Sequence, residues 1–148
     1  MVDTQKNLLI AERLLEGRVV GFQHPEPFRL DARVEAADLT AAVRMLFNTE
    51  WGYLAAITGL DQEAHSPELE VLYHFCSADA VVTLRLKTGR ENPRVPTVSG
   101  VIPAAEIFER ELSDIFGIQV EGVPGSGQPT ATAGWSGGAL RLANEIEG

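Results

Sequence analysis

Residues 28–35 alternate strictly between apolar and charged side chains. Phe28, Leu30, Ala32 and Val34 point one way, and Arg29, Asp31, Arg33 and Glu35 the other. Only an extended chain, whose side chains leave on opposite faces with a period of two, turns that order into one covered and one wet face. A second run repeats it, setting Val82, Leu84 and Leu86 against Thr83, Arg85 and Lys87. The chain must therefore build a sheet with one face packed on a core.

Other segments carry the helical period. Residues 4–16 place Leu8, Ala11 and Leu15 on one face and stop at Gly17. Asp38 is positioned to cap a helix over 39–48 with Ala42, Val43, Leu46 and Phe47 inward,. Pro103 opens a third helix that Gly117 closes,. Between these lie strand-like stretches at 18–23, 53–58, 69–76 and 80–87, an acidic loop over 61–68, and a polar excursion over 88–98 holding Pro93 and Pro96,. The order α-β-β-α-β-β-β-α predicts a two-layer α+β domain over residues 1–121, with a mixed or antiparallel sheet of about five strands and about three helices. Residues 122–140 contain no charge, six Gly and two Pro, so 122–148 reads as a Gly/Pro-rich flexible tail,. Within it, 139–146 reads as a weak helix expected to order only against a partner.

Composition narrows the function classes. With 148 residues the chain suits one domain that buries a core without disulfides,. Acidic residues outnumber basic ones 21 to 12, a net charge of −9. That balance argues against nucleic acid, whose affinity is largely a Lys/Arg term, and against docking on anionic lipid. The single cysteine, Cys76, cannot hold an iron–sulfur cluster or a structural zinc,. No stretch approaches the roughly 20 apolar residues of a membrane span, and no secretory signal is visible at the start. The expectation is a soluble, cytoplasmic protein whose membrane association runs through partners.

Several patterns imitate catalytic motifs. Gly134-Trp-Ser136-Gly-Gly138 matches a nucleophile elbow, but no histidine follows it,. Gly125-Ser-Gly127 starts like a dinucleotide fingerprint, then breaks at Pro129 and Thr130,. His24, His65 and His74 are too widely spaced for a helical zinc motif,. His74 reads as a structural residue. His65, among Asp61, Glu63 and Glu68, reads as part of a solvated loop, and Cys76 as a small core residue.

The densest signal is the run from Pro103 to Ile118. At about 100° per residue, Ala105, Phe108, Leu112, Ile115 and Phe116 gather into one stripe. Glu106, Arg110 and Asp114 form a ladder of alternating charge opposite it,. Glu109 and Glu111 fall on the flanks of the stripe. They either rim the core and reach water, or bond to backbone or Arg groups within the domain or across an interface.

The run Glu109-Arg110-Glu111-x-x-Asp114-Ile-Phe-Gly117-Ile, followed by Glu121-Gly122-x-Pro124, resembles the signature of the thirty-kilodalton subunit of NADH:quinone oxidoreductase. That subunit belongs to respiratory complex I and has relatives in membrane-bound energy-converting hydrogenases. The resemblance extends to the strand Tyr53 to Asp61, to Val71-Leu-Tyr73-His74-Phe75, and to Val95-Pro96-Thr-Val-Ser99 with Pro103-Ala104-Ala105. It departs at Ile102, where the family has tryptophan, and at Val123, where it has histidine. Gly125 onward replaces the family's charged-apolar run.

The resemblance implies the α+β fold of that complex I subunit and no redox cofactor in this chain. Iron–sulfur clusters and a flavin or nickel–iron centre would sit in partner subunits. It implies packing against the iron–sulfur and hydrogenase-like large subunits on the cytoplasmic face of the membrane. Glu109, Arg110, Glu111, Asp114, Gly117, Gly122 and Pro124 would be family-motif residues at a subunit interface, not catalysts. The leading reading is a non-catalytic scaffold or assembly subunit. The alternatives are a free-standing small-molecule binding or regulatory module on the same fold, and an enzyme using Glu109, Glu111 or Asp114 as acid or base. Acid–base work needs groups converging in a pocket, and no such convergence is legible in the sequence.

Overall fold

The computed structural model describes residues 3–62 and 64–122. Three helices are present: α1 (Thr4–Leu15), α2 (Ala36–Asn48) and α3 (Ala105–Phe116). The strands are β1 (Gly21–Gln23), β2 (Arg29–Arg33), β3 (Tyr53–Leu60), β4 (Glu68–Ser77), β5 (Ala80–Gly89), β6 (Arg94–Pro96) and β7 (Gln119–Glu121). Five of them form one sheet in the order β1-β2-β5-β4-β3, and β6 pairs with β7 in a second. The main sheet is mixed. β1 runs antiparallel to β2, whereas β2 and β5 are parallel. The α+β class and the main sheet's five strands with three helices match the expectation from the sequence. The strand-like reading at 18–23 shrinks to Gly21–Gln23. Of the tail expected over 122–148 only Gly122 is described; the rest, with the helix expected over 139–146 and both glycine-rich decoys, lies outside the described residues.

Two compact units divide the chain. One comprises residues 1–56 and 72–86, the other 57–71 and 87–148. In the first unit Asp3 caps α1 by accepting the N–H of Gln5 at 3.0 Å, and Leu8, Ala11 and Leu15 are buried as the helical period required. Buried Leu39, Ala42, Val43 and Leu46 of α2 join them, with Leu30, Ala32, Tyr73, Phe75, Val82 and Leu84 from the strands. The Trp51 indole donates to the Asn7 carbonyl at 2.9 Å, tying the end of α2 to α1.

Two details of α2 differ from expectation. Its N-cap is Glu35 and Asp38 lies in its first turn, because the helix begins three residues earlier than the first apolar position suggests. Phe47 is 44% exposed, one residue beyond the buried arc.

In the second unit the segment 88–98 is no surface excursion. β5 continues to Gly89, Arg90 is buried, and Val95 pairs with Val120 across β6 and β7. A three-residue strand between prolines has no period to read, and its parallel partner is distant in sequence. The Thr88 hydroxyl pins this bend, donating to the Arg94 carbonyl and accepting the Arg94 N–H, both at 3.0 Å.

Two glycines illustrate how backbone demands differ. Gly52 has φ +64°, and a Cβ there would stand 2.1 Å from the Cys76 carbonyl oxygen. Gly17 has φ +81° with nothing within 4 Å of such an atom. Gly52→Ala is expected to cost about 2–4 kcal/mol through overpacking and strain, against about 1 kcal/mol for Gly17→Ala. Denaturant unfolding of the two variants measures the difference.

Candidate functional site

The charged run on α3 separates into an inward and an outward set. Burial falls on Ala105, Glu109, Leu112 and Ser113, so the buried arc is rotated toward Glu109 from the stripe expected through Phe108 and Ile115. Phe108, Ile115 and Phe116 are half-buried, and Ile107 is 65% exposed. The rotation has a polar cause. Glu109, only 3% exposed, accepts the Thr97 hydroxyl and the Val98 N–H, each at 2.7 Å. The Ser113 hydroxyl donates to the Ile118 carbonyl at 2.8 Å just past the helix end. Those bonds satisfy backbone groups that the turn before the helix and the turn after it leave over. Gly117, at φ +69°, adopts the left-handed conformation that ends α3,. The Phe116 ring covers Gly59 of β3, where a Cβ would meet it at 2.6 Å.

The outward set is Arg110, Glu111 and Asp114. Arg110 bonds Glu106 one turn back at 3.0 Å with both side chains more than half exposed. Glu111 and Asp114 are exposed and make no ion pair among the described residues. Gly122 stands at φ +79° after β7. Pro124 lies outside the described residues. The three motif carboxylates therefore do not converge: one is spent on the protein's own backbone and two face solvent. Burial raises the Glu109 carboxyl above its ordinary value of 4.5, against the Thr97 and Val98 hydrogen bonds, which lower it, and with Glu106 adding to the rise,.

Two further charged clusters were not legible in the sequence. The first refines the reading of 61–68 as a solvated acidic loop: Gln62, His65, Pro67 and Glu68 are exposed, but the Asp61 side chain is buried. Asp61 and Arg90 form an ion pair with side chains 2% and 7% exposed. Arg90 Nη1 donates to Asp61 Oδ2 at 3.1 Å, its Nη2 to Oδ1, and its Nε to the Ser66 carbonyl. Arg90 thus closes the loop from beneath, 29 residues along the chain from its carboxylate. The second cluster lies on the odd-numbered face of β2 and β5. Asp31, 6% exposed, takes Arg85 at 3.1 Å and stands 3.8 Å from Arg29. His74 Nδ1 lies 3.0 Å from the Thr83 hydroxyl beside them. Burial, then the charge of Arg29, lowers the His74 pKa, so the ring is neutral near pH 7,. The second cluster depends on strand register, which alternation alone does not reveal, and the first joins residues just past the ends of two strands that are not neighbours.

Two concavities bear on ligand binding. A cleft of about 180 Å³ is lined by Leu60, Gln62, Ser66, Glu68 and Lys87 among others. It is smaller than the few hundred Å³ common for small-molecule sites and mostly polar. A shallower depression of about 580 Å³ lies at Thr4, Gln5, Pro27, Phe28 and Asp79. Its Gln5 amide is already engaged with the Pro27 carbonyl. Among the described residues no three His, Cys, Asp or Glu side chains are grouped to hold a metal. No described helix is long and apolar enough to cross a membrane.

Comparison with known proteins places this arrangement in a family. The family model for the respiratory-chain NADH dehydrogenase 30 kDa subunit matches residues 32–148. An NADH-quinone oxidoreductase subunit of Roseiflexus sp. (strain RS-1) is 34% identical over 93 residues, 62% of this chain and 53% of that protein. Its counterpart in Rhizobium meliloti (strain 1021) is 40% identical over 76 residues, covering 51% of this chain and 42% of that one. The chain spans about half the length of these curated relatives. Among solved structures, Nqo5, as a trypsin-resistant fragment, superposes with a TM-score of 0.61 at 25% identity, over 80% of this chain and 98% of that one. A chain of the membrane-bound sulfane sulfur reductase, an archaeal respiratory membrane complex, shares the fold with a TM-score of 0.67 at 24% identity, over 88% of this chain and 76% of that one. The chain belongs to the respiratory-chain NADH dehydrogenase 30 kDa subunit family, as the motif on α3 implied.

These contacts make stability testable in two places. Because folding raises the Glu109 pKa, its contribution to stability is complete below the unfolded value near 4.5 and is lost as pH rises through the folded value,. Glutamine reproduces the protonated pattern, accepting the Val98 N–H and donating to Thr97. Glu109→Gln should therefore match the wild type near about pH 4 and gain on it toward about pH 8, as read by urea unfolding at each pH. Arg90→Leu strands a buried carboxylate and should cost about 3–5 kcal/mol, part of which Asp61→Leu in the same chain restores. A double-mutant cycle in denaturant checks this.

Proposed function

We propose that the protein is a non-catalytic scaffold subunit of a membrane-associated multisubunit oxidoreductase, either an NADH:quinone oxidoreductase or a related energy-converting hydrogenase. The observation that carries this reading is the division of the family motif on α3. Glu109 and Gly117 are used to hold the helix, which leaves Arg110, Glu111, Asp114 and the exposed Ile107 presented outward on a rigid element. Side chains held this way suit a protein–protein contact, with an apolar residue among charges that set register. Acid–base chemistry would require the carboxylates to meet in one pocket, and they point apart.

In this reading the partners are iron–sulfur and hydrogenase-like large subunits, and they carry the clusters and the flavin or nickel–iron centre. The single cysteine supports this, since cluster ligation needs several thiolates,. The complex, not this chain, holds it at the cytoplasmic face of the membrane. Names and folds of relatives support the assignment to a complex. The small polar cleft at Lys87 gives little support to a free-standing small-molecule module.

Mild detergent extraction from the native host, affinity capture and mass spectrometry test the proposal. Recovery in fixed ratio with iron–sulfur and membrane subunits is expected, and recovery of the chain alone from the soluble fraction overturns it. Arg110→Ala separates folding from assembly. Its exposed pair with Glu106 contributes only about 0.3–0.5 kcal/mol. Unfolding of the isolated variant should stay near wild type while its recovery in the complex falls. Equal, large losses of both would remove Arg110 from the interface.

A further inference from the structure

We infer that the outer edge of β3, over Tyr53–Ala56, is the docking site for an extended segment of a partner subunit, which joins the sheet as a further strand. The inference rests on the scaffold reading above but uses no residue of the α3 motif. β3 ends the main sheet, with β4 on one side and no strand on the other. A strand in that position presents a row of unpaired N–H and C=O groups. Folded proteins ordinarily guard such a row with brevity, charge or proline.

The edge strands of the described residues differ in that respect. β1 is three residues long and runs into His24-Pro25. β6 holds Arg94 and Pro96, and β7 is three residues ending in Glu121. β3 has eight residues, Tyr-Leu-Ala-Ala-Ile-Thr-Gly-Leu, without a charge or a proline. Its first four belong to the first unit. Tyr53 is 65% exposed, and Leu54, Ala55 and Ala56 are half-buried. Beyond the ladder with β4, no hydrogen bond among the described residues engages these four. The longest edge is therefore also the unguarded one.

The chemistry selects the occupant. A row of main-chain donors and acceptors at strand spacing is answered by another extended backbone, as when a peptide adds to a sheet edge. A helix has spent its main-chain groups on itself and has none to offer. An uncharged edge favours an uncharged strand of β-branched or aromatic residues, because cross-strand pairs of that kind strengthen the ladder. Glu50 stands exposed in the turn that leads into β3, so a basic residue flanking the incoming strand complements it,. A second copy of this chain is disfavoured, since it brings a further net charge of −9 to the contact,.

Hydrogen exchange tests the inference on the full chain, isolated and in the detergent-extracted complex. Amides of Tyr53–Ala56 that point away from β4 should exchange at least about tenfold more slowly in the complex. Two variants made in the native host locate the effect. Successive residues of a strand turn their N–H groups to opposite edges, so one of Ala55→Pro and Ala56→Pro removes a bond to β4 and the other only an outer N–H. The latter should melt within about 5 °C of wild type, yet its recovery in the complex should fall at least about tenfold. Tyr53→Lys, which adds a charge to the edge, should fall likewise and stays folded should both prolines prevent folding. Ala41→Lys, on the exposed side of α2, should be recovered as wild type. A photocrosslinking amino acid at position 53 should label a peptide of another subunit. Equal exchange in the two states, or full recovery of Tyr53→Lys, overturns the inference and leaves the scaffold reading intact. So does an adduct to lipid, to a second copy of this chain or to its own residues 123–148. Failure of the wild type itself to enter any complex overturns both.

Discussion

A carboxylate with almost no exposure to water must be given donors, and in this protein the donors for Glu109 are the hydroxyl of Thr97 and the backbone N–H of Val98. Much of the second unit follows from that contact. It anchors the turn after β6 to α3 and turns the helix about its axis, so that Glu109 and Ser113 go inward with Leu112. Phe108 and Ile115 are left half-buried. Ser113 and Gly117 then close the helix and deliver the chain into β7 alongside β6. Burying a carboxylate is unfavourable unless hydrogen bonds replace its water. The contact therefore confers geometry more than stability, which its raised pKa reflects.

Asp61 and Arg90 solve a related problem differently. There the buried charge is answered by a buried opposite charge, and the spare Nε donor is used on the Ser66 carbonyl. The pair fixes a loop that its composition describes as acidic and solvated. Both devices remove polar groups from the surface and leave other charges outward. On α3 those are Arg110, Glu111 and Asp114. The proposed scaffold role needs such division, because residues presented to partners must be held by residues that are not.

Much of the fold was readable from local pattern. Leu8, Ala11 and Leu15 are buried as their spacing required, and Leu30 and Ala32 lie in the core as alternation required. The motif on α3 was legible as a family signature, and the family model agrees with it. Less legible was which motif residue serves which purpose. Glu109 and Glu111 both flank the apolar stripe and are indistinguishable by angle alone. The donor at Val98 made one a buried anchor, while the other stands exposed. The strand at Arg94–Pro96 could not be read because three residues carry no period and its partner follows α3.

The family came from the resemblance carried by the α3 motif; local spacing and residue counts were enough for the three helices, the main sheet's five strands, the α+β class and the single cysteine. Each of these follows from patterns within about ten residues, or from counting residues of one kind. It took the folded chain to bring Glu109 inward, to neutralise Asp61 with Arg90, to pair β6 with β7, and to bring Arg85 to Asp31. The reason is that desolvation and ion pairing act through space. The Val98 donor is 11 residues from Glu109 and Arg90 is 29 from Asp61. At those separations no local period reports which groups will meet, and a one-residue change of register would pair different ones.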